Sequence, residues 1–398
     1  MKQNLTPQYT LHQMAYWAVA AAVVSFASAY LLAHGFPAAQ VGVLLSCGNL
    51  LSCAVQPFLA DRADRIGGNV LKLLVVGLTA LSMVCFGLIG FLSLPRWLFG
   101  LMYLLGIFTF DAMMPLLNAI AVAYTGAGYR VNYGIGRGLG AFAFSLAALA
   151  VGKVMAKWGE GYMIPMALAL LMVNVLVTLC YPNLSARRTG QAQERDCCSV
   201  PVFFRRYKWY CLSLLGVMFL AMFHAMTENY LIEIVSPLGG DSNTVGTALF
   251  IATIAELLVL LGFERLRQKI HDRLLLKLSG LFFLLKAVLL LFAPSIEAIY
   301  LIQLLQTVTY CFLSPTQLYY AQEKVHPADM VKGQAFITAA YTLGCAIGNF
   351  TGGQLLEHWG VTTLLVAGVG MAAVGMTVLL LTVDKGRRSP SVVKLLTQ

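Results

Sequence analysis

Charged residues are scarce in this sequence. Asp, Glu, Lys and Arg make up 11% of its 398 residues, whereas a water-soluble globular chain carries about 25%. With 59% of residues hydrophobic, that shortage excludes a water-soluble fold of this length. Long polar stretches are missing as well: the longest, NLSARRTGQAQERDCCSVPVFFRRYK at 183–208, leaves no room for a separate ATP-binding module. No Ser/His or metal-ligand constellation supports an intramembrane enzyme. GIGRGLG at 134–140 lacks the third glycine of a dinucleotide fingerprint and follows no strand, which removes that function too. The nine cysteines are odd in number, seven of them in apolar segments and Cys197 and Cys198 in a polar loop. No disulfide framework follows from such a pattern. No metal and no cofactor is expected.

Apolar runs of membrane-spanning length, about 20 residues, fill the chain instead. Twelve are expected, near 12–33, 39–60, 70–93, 97–123, 133–157, 161–181, 209–235, 243–263, 274–294, 297–322, 333–356 and 361–383. Their polarity is set by Lys and Arg. With the N-terminus on the inner side, 22 of the 27 fall in inner loops and tails, so both termini are expected to be cytoplasmic and the protein multi-pass in the cell membrane. The net charge of +10 then reflects attraction to an anionic inner leaflet rather than to nucleic acid. All five Trp, at 17, 97, 158, 209 and 359, fall near span ends, where an interfacial belt would place them. AVAAAVVSFASAY resembles a signal peptide with cleavage after Ala29, but this span has a counterpart later in the chain and reads as a retained helix.

The chain is written twice. Tyr30, Leu31 and Pro37 face Tyr230, Leu231 and Pro237 at an offset of 200, and LLGIFTFDAMMP (104–115) faces LLQTVTYCFLSP (304–315) at the same offset. GKVMAKWG (152–159) faces GQLLEHWG (353–360) at 201. One offset kept over three blocks predicts an all-α membrane protein of two six-helix bundles in parallel repeat, with a substrate site between them at mid-membrane depth. The expected divisions are an N-terminal bundle at 1–182, a cytoplasmic linker at 183–208, a C-terminal bundle at 209–384 and a cytoplasmic tail at 385–398. Glycines four apart, 134/138, 136/140 and 344/348/352, predict faces where helices approach closely.

Ionisable side chains inside spans are costly and are kept where they are paired or face a cavity. Asp111, Arg137, Glu228, Glu256, Lys286 and the titratable His224 are in this class. Glu256 and Lys286 lie roughly 12 and 20 Å from the inner ends of their spans at about 1.5 Å per residue, a gap that a lysine arm closes. They form either a static bridge between the eighth and ninth spans or a switch, in which moving Lys286 changes the proton affinity of Glu256. Arg137 either snorkels to the inner surface or lines the cavity, offering forked donors to an anionic or hydroxylated solute. Asp111 has Asn118 as its nearest polar company on the fourth span. His224 and Glu228, at i and i+4, share a face and suit a hydrated vestibule or proton path, and Glu233 is expected at the surface.

These residues match a family. Nearly the whole chain resembles the major facilitator superfamily, and within it the proton-symporter branch of lactose permease and phenylpropionate-type permeases. PFLADRADRIGG (57–68) is similar to the superfamily's gating loop GxxxDRxGR, with Asp61, Arg62 and Arg65 kept and Pro57 and Asp64 in place of its two glycines. YGIGRGLGAFAFSLAALAVG (133–152) resembles the branch's fifth helix, which puts Arg137 where a sugar-contacting arginine stands and Phe144 where a substrate-binding Trp stands. TIAELLVLL (253–261) resembles the eighth helix with its functional Glu, and Lys286 takes the place of a ninth-helix Arg. Gln306 and Thr309 stand where lactose permease has a His and a Glu. The resemblance implies a monomeric secondary transporter in the bilayer, importing a small organic solute (an aromatic acid, a nucleoside or a sugar-like molecule) together with protons by alternating access. Glu256 and Lys286 would couple the proton, and Asp111, Asn118, Arg137, Phe144, His224, Glu228 and Gln306 would line the cavity. The alternative reading is a proton-driven exporter of amphipathic compounds; a transceptor or accessory membrane protein without flux is a further one.

Overall fold

The computed structural model describes residues 3–66, 69–184 and 199–385. Among them there is no strand beyond a single bridge between Asn4 and Arg130, because a bilayer leaves no water to satisfy exposed backbone groups and only helices close their own hydrogen bonds. The elements are α1 (Thr6–Ala20), α2 (Ala27–Ala33), α3 (Ala38–Ile66), α4 (Val70–Phe91), α5 (Arg96–Gly126), α6 (Tyr133–Trp158) and α7 (Met163–Leu179), followed by α8 (Val200–Arg206), α9 (Lys208–Asn229), α10 (Leu231–Val235), α11 (Ser242–Lys269), α12 (Asp272–Leu291), α13 (Ile296–Gln303), α14 (Tyr310–Lys324) and α15 (Met330–Thr382).

Ten helices among the described residues are long and apolar enough to cross a membrane, and eleven if the pair Thr6–Ser25 and Ala27–Ala33, bent by 46°, is one span. The last of them, Lys332–Thr382, has 51 residues, about 77 Å of helix at 1.5 Å per residue against a hydrocarbon core of about 30 Å. It breaks at Gly360, where φ is 78° and ψ −179°. Counting it as two spans gives the twelve expected from the sequence. Gly159, the repeat partner of Gly360, also takes a positive φ of 99° and ends α6. The repeated Trp-Gly therefore does the same work in each half: an L side chain is strained there, and the chain turns back.

Among the described residues, two further spans are interrupted, and at each a side chain donates to the backbone. Between α1 and α2 the helix widens into a π turn at Ala21–Ser25, and the Tyr103 hydroxyl donates to the Val23 carbonyl at 2.8 Å. Between α13 and α14 a 3₁₀ turn at Leu304–Thr307 precedes Thr309, whose φ of −91° and ψ of −90° are not helical. There the Ser279 hydroxyl donates to the Thr309 carbonyl at 2.9 Å. A third fault is chemical only. Pro115 lies inside α5 and has no N–H to offer the carbonyl four residues back, and Gln56 Nε2 fills that role, donating to the Asp111 carbonyl at 3.3 Å.

Packing resolves two units, one of Met1–Gln191 with Glu228–Leu257 and the other of Ala192–Thr227 with Leu258–Gln398. In the first, α1 lies along the glycine face of α6: a methyl on Gly136 would stand 2.7 Å from the Tyr9 ring, and one on Gly140 2.7 Å from Trp17. Gly138, expected to share in such packing, meets nothing within 4 Å. In the second unit Gly344 and Gly348 of α15 press on the Met218 and Met222 backbone of α9 in the same manner. Within the first unit the start of α11 crosses α6 at glycines. Gly152 and Gly246 meet with their backbones 3.0 to 3.2 Å from where a methyl would be, and a methyl on Gly246 would lie 2.5 Å from the Ala148 carbonyl oxygen.

That crossing has no room for a side chain. Gly246→Val is expected to cost about 1–3 kcal/mol by overpacking and to lower the thermal midpoint of the purified protein. Gly87→Ala, at a position open within 4 Å, is the control and should leave the midpoint unchanged or raise it.

Candidate functional site

The first unit gathers aromatic rings and hydrogen-bonding groups on one wall. Tyr9, Gln13 and Trp17 recur every four residues on α1 and so share a face. Gln13 is the hub: its Nε2 donates to the Tyr9 hydroxyl at 2.6 Å and to Asn118 Oδ1 at 3.4 Å, and its Oε1 accepts from the Trp17 indole at 3.1 Å. Over the Trp17 ring lies the Arg137 guanidinium, 3.9 Å from the centroid, a geometry that leaves the forked N–H edge of the arginine available to a ligand. Phe144 meets Trp17 edge-on at 6.4 Å, and Tyr16 stacks on Phe110 at 4.5 Å. Tyr16 feels the charges of both Asp111 and Arg137. The half-buried Asp111 carboxylate receives no hydrogen bond from a side chain among the described residues.

Four residues singled out from the sequence, Asp111, Asn118, Arg137 and Phe144, are thus brought together by α1. The sequence reading missed Tyr9, Gln13, Tyr16 and Gln56, which are uncharged and so escape a search for ions in apolar spans. It also placed Trp17 in an interfacial belt. The structure corrects this: the indole is the seat of Arg137 and packs on Gly140.

The second unit carries its own polar cluster. Ser279 and Lys286, seven residues apart on α12, lie on one face two turns apart. Lys286 is buried, 1% exposed, and donates to Gln306 Oε1 at 2.9 Å inside the 3₁₀ break. The Thr309 hydroxyl lies 3.5 Å from the same oxygen. Gln306, expected as a cavity residue, is one hydrogen-bond partner of Lys286. The ring of His224 stacks on Tyr310 at 5.2 Å with an interplanar angle of 12°, and Tyr310 leads on to Tyr341 at 5.9 Å.

Glu256 is half-buried on α11 and Glu228 half-buried on α9. The side chains of Asp61, Arg62 and Arg65 lie outside the described residues, as do positions 185–198 of the linker. Glu233 is not at the surface as expected: the Ser28 hydroxyl donates to its Oε2 at 3.2 Å, and its Oε1 is sealed from solvent.

Comparison with known proteins follows this geometry. The model of the MFS_1 like family matches residues 8–367. Among solved structures, the nucleoside transporter NupG superposes with a TM-score of 0.78 at 15% identity, covering 96% of this chain and 98% of that one. An aspartate-to-alanine mutant of NupG gives 0.79 at 15% identity, over 96% and 99%. No curated protein matches the chain. Twelve spans, a duplicated frame and a family match over nearly its whole length make this chain a member of the MFS_1 like family, a multi-pass membrane transporter of the major facilitator superfamily and not an enzyme.

Proposed function

We propose that the protein imports a nucleoside-like solute together with protons, by alternating access of two six-helix halves with both termini cytoplasmic. The observation that carries this reading is the wall of α1, α5 and α6, where Arg137 rests on Trp17 beside Gln13, Asn118 and Asp111. A flat heteroaromatic ring finds stacking partners there in the partly exposed Trp17 and Phe144. Hydroxyls find amide and carboxylate acceptors, and a carbonyl or anionic group finds the arginine fork. NupG, which shares the fold, is itself described as a nucleoside transporter, and this supports that class over a purely sugar-like or acidic solute. Aromatic acids and sugars remain the comparison set for a binding screen.

Energy would come from protons alone, without a cofactor. One inward proton supplies about 2.3 kcal/mol per 100 mV and about 1.4 kcal/mol per pH unit. Glu256 is the proposed proton carrier. Lys286, held in the break of the tenth span by Gln306, is the proposed cation that adjusts it. His224 and Glu228 are proposed as a vestibule, and Asp61, Arg62 and Arg65 as the gating loop.

A thermal-shift screen of nucleosides, sugars and aromatic acids on purified protein should single out nucleosides, because a ligand stabilises the state that binds it. Equal shifts for all three sets, or none, would remove the substrate assignment. Arg137→Lys keeps the charge but loses the fork and the flat stack, and binding should weaken about tenfold, roughly 1.4 kcal/mol, by calorimetric titration. In liposomes, Glu256→Gln should lose uphill uptake and keep downhill exchange. Normal accumulation by that variant would dismiss Glu256 as the coupling group, and substrate efflux driven by the inward proton gradient would establish export instead.

A further inference from the structure

Glu233 stands apart from every group used so far. It belongs to α10, the short helix between the spans Lys208–Asn229 and Ser242–Leu260, at the membrane face opposite the one that holds most Lys and Arg. Its Oε2 accepts from the Ser28 hydroxyl of α2 at 3.2 Å, and Ser28 is 1% exposed. Its Oε1 is buried without a hydrogen-bond partner. Among the described residues no lysine or arginine offsets the carboxylate: burial, its own backbone N–H and Ser28 set its proton affinity, and Tyr230 is the titratable neighbour that feels it. A carboxylate with one oxygen sealed and the other met by a single neutral donor is disfavoured in its charged form.

The contact also sits at a joint. Ser28 lies just beyond the π turn and the 46° bend of the first span, so α2 can swing on that bend without unwinding α1. The segment that carries Glu233 leads straight into Ser242 and Gly246, where α11 crosses α6 with no side chain between them. The geometry points to Glu233 as a proton-binding latch: protonated, it seals α2 against α10 and closes the outer face, and on losing its proton it draws in water and lets that face open. This inference rests on the transport reading above for its orientation, and extends it with a titratable site separate from the proposed solute wall and from the proposed coupling residues Glu256 and Lys286.

The direction of the pH effect follows from linkage. Burial raises the carboxyl of Glu233 from 4.5 to about 7 in the closed form, whereas the hydrated open form keeps an ordinary carboxylate. The contact is therefore fully favoured below about pH 4.5 and loses stability as pH rises to about 7. In that window opening becomes easier by up to about tenfold per pH unit, and above it the bias is constant.

Two measurements on the full-length protein in detergent test this, and neither needs a substrate. Infrared difference spectra should show a protonated carboxyl band that titrates near neutral pH in the wild type and is missing in Glu233→Gln. Hydrogen exchange, corrected for its intrinsic pH dependence, should speed up in Ala27–Ala33 and Leu231–Val235 between pH 5 and 8 in the wild type and stay slow throughout in Glu233→Gln. Ser28→Ala should exchange faster at every pH. An unchanged infrared titration in Glu233→Gln, or a wild-type pH dependence of exchange that persists in it, would overturn the latch. Failure of the nucleoside screen would leave these readouts untouched, so the two readings fall separately.

Discussion

A backbone carbonyl inside a bilayer must find a donor within the protein, and this requirement marks three irregular places among the described residues. In each a side chain from a neighbouring helix donates to the backbone: Tyr103 to Val23 in the π turn, Gln56 to Asp111 where Pro115 has no N–H, and Ser279 to Thr309 as a second donor beside the Leu313 N–H. The repairs bring polar chemistry with them. Gln56 anchors the backbone of Asp111, whose charge is felt by Tyr16, and the α12 face that carries Ser279 also carries Lys286. Irregular backbone and polar side chains therefore lie close together.

Close approach is the second constraint. Lipid gives apolar helices no general reason to associate, so contact relies on small residues that let backbones meet. Gly136 and Gly140 bring α1 onto α6 and so place Gln13 and Trp17 beside Arg137, while Gly152 and Gly246 join α6 to α11. The glycines on α6 therefore do more than pack. They fix which α1 side chains can reach the arginine and hold the C-terminal part of α6 against the start of α11.

Much of this was legible in the sequence. Span length and hydropathy set the twelve crossings, and the offset repeat anticipated that Gly159 and Gly360 would share a backbone shape. The cost of buried charge picked out Asp111, Arg137 and Lys286. The rest was hidden for physical reasons. Gln13, Gln56 and Tyr16 are cheap enough in a span that composition does not flag them. Trp17 lies near a span end by number but faces inward by helical phase, which counting cannot reveal. Glu233 lies between spans, where an acid ordinarily meets water, and only packing against α2 shows it dry. Pro115 and Pro315 are repeat partners, yet α5 runs on unbroken through one while the span holding the other breaks upstream at Leu304–Thr307, a difference that no pattern of apolar residues encodes.

The π turn at Ala21–Ser25 has one more effect. Each extra residue in a helix advances the phase of everything after it by about 100°. Tyr9, Gln13 and Trp17 before the turn and Ser28 after it are therefore aimed by two separate settings of the same chain. Deleting a single alanine from the turn would leave the arginine's seat where it is and rotate Ser28 off its acid, so the inserted residue acts as an angular spacer that lets one helix address two sites independently.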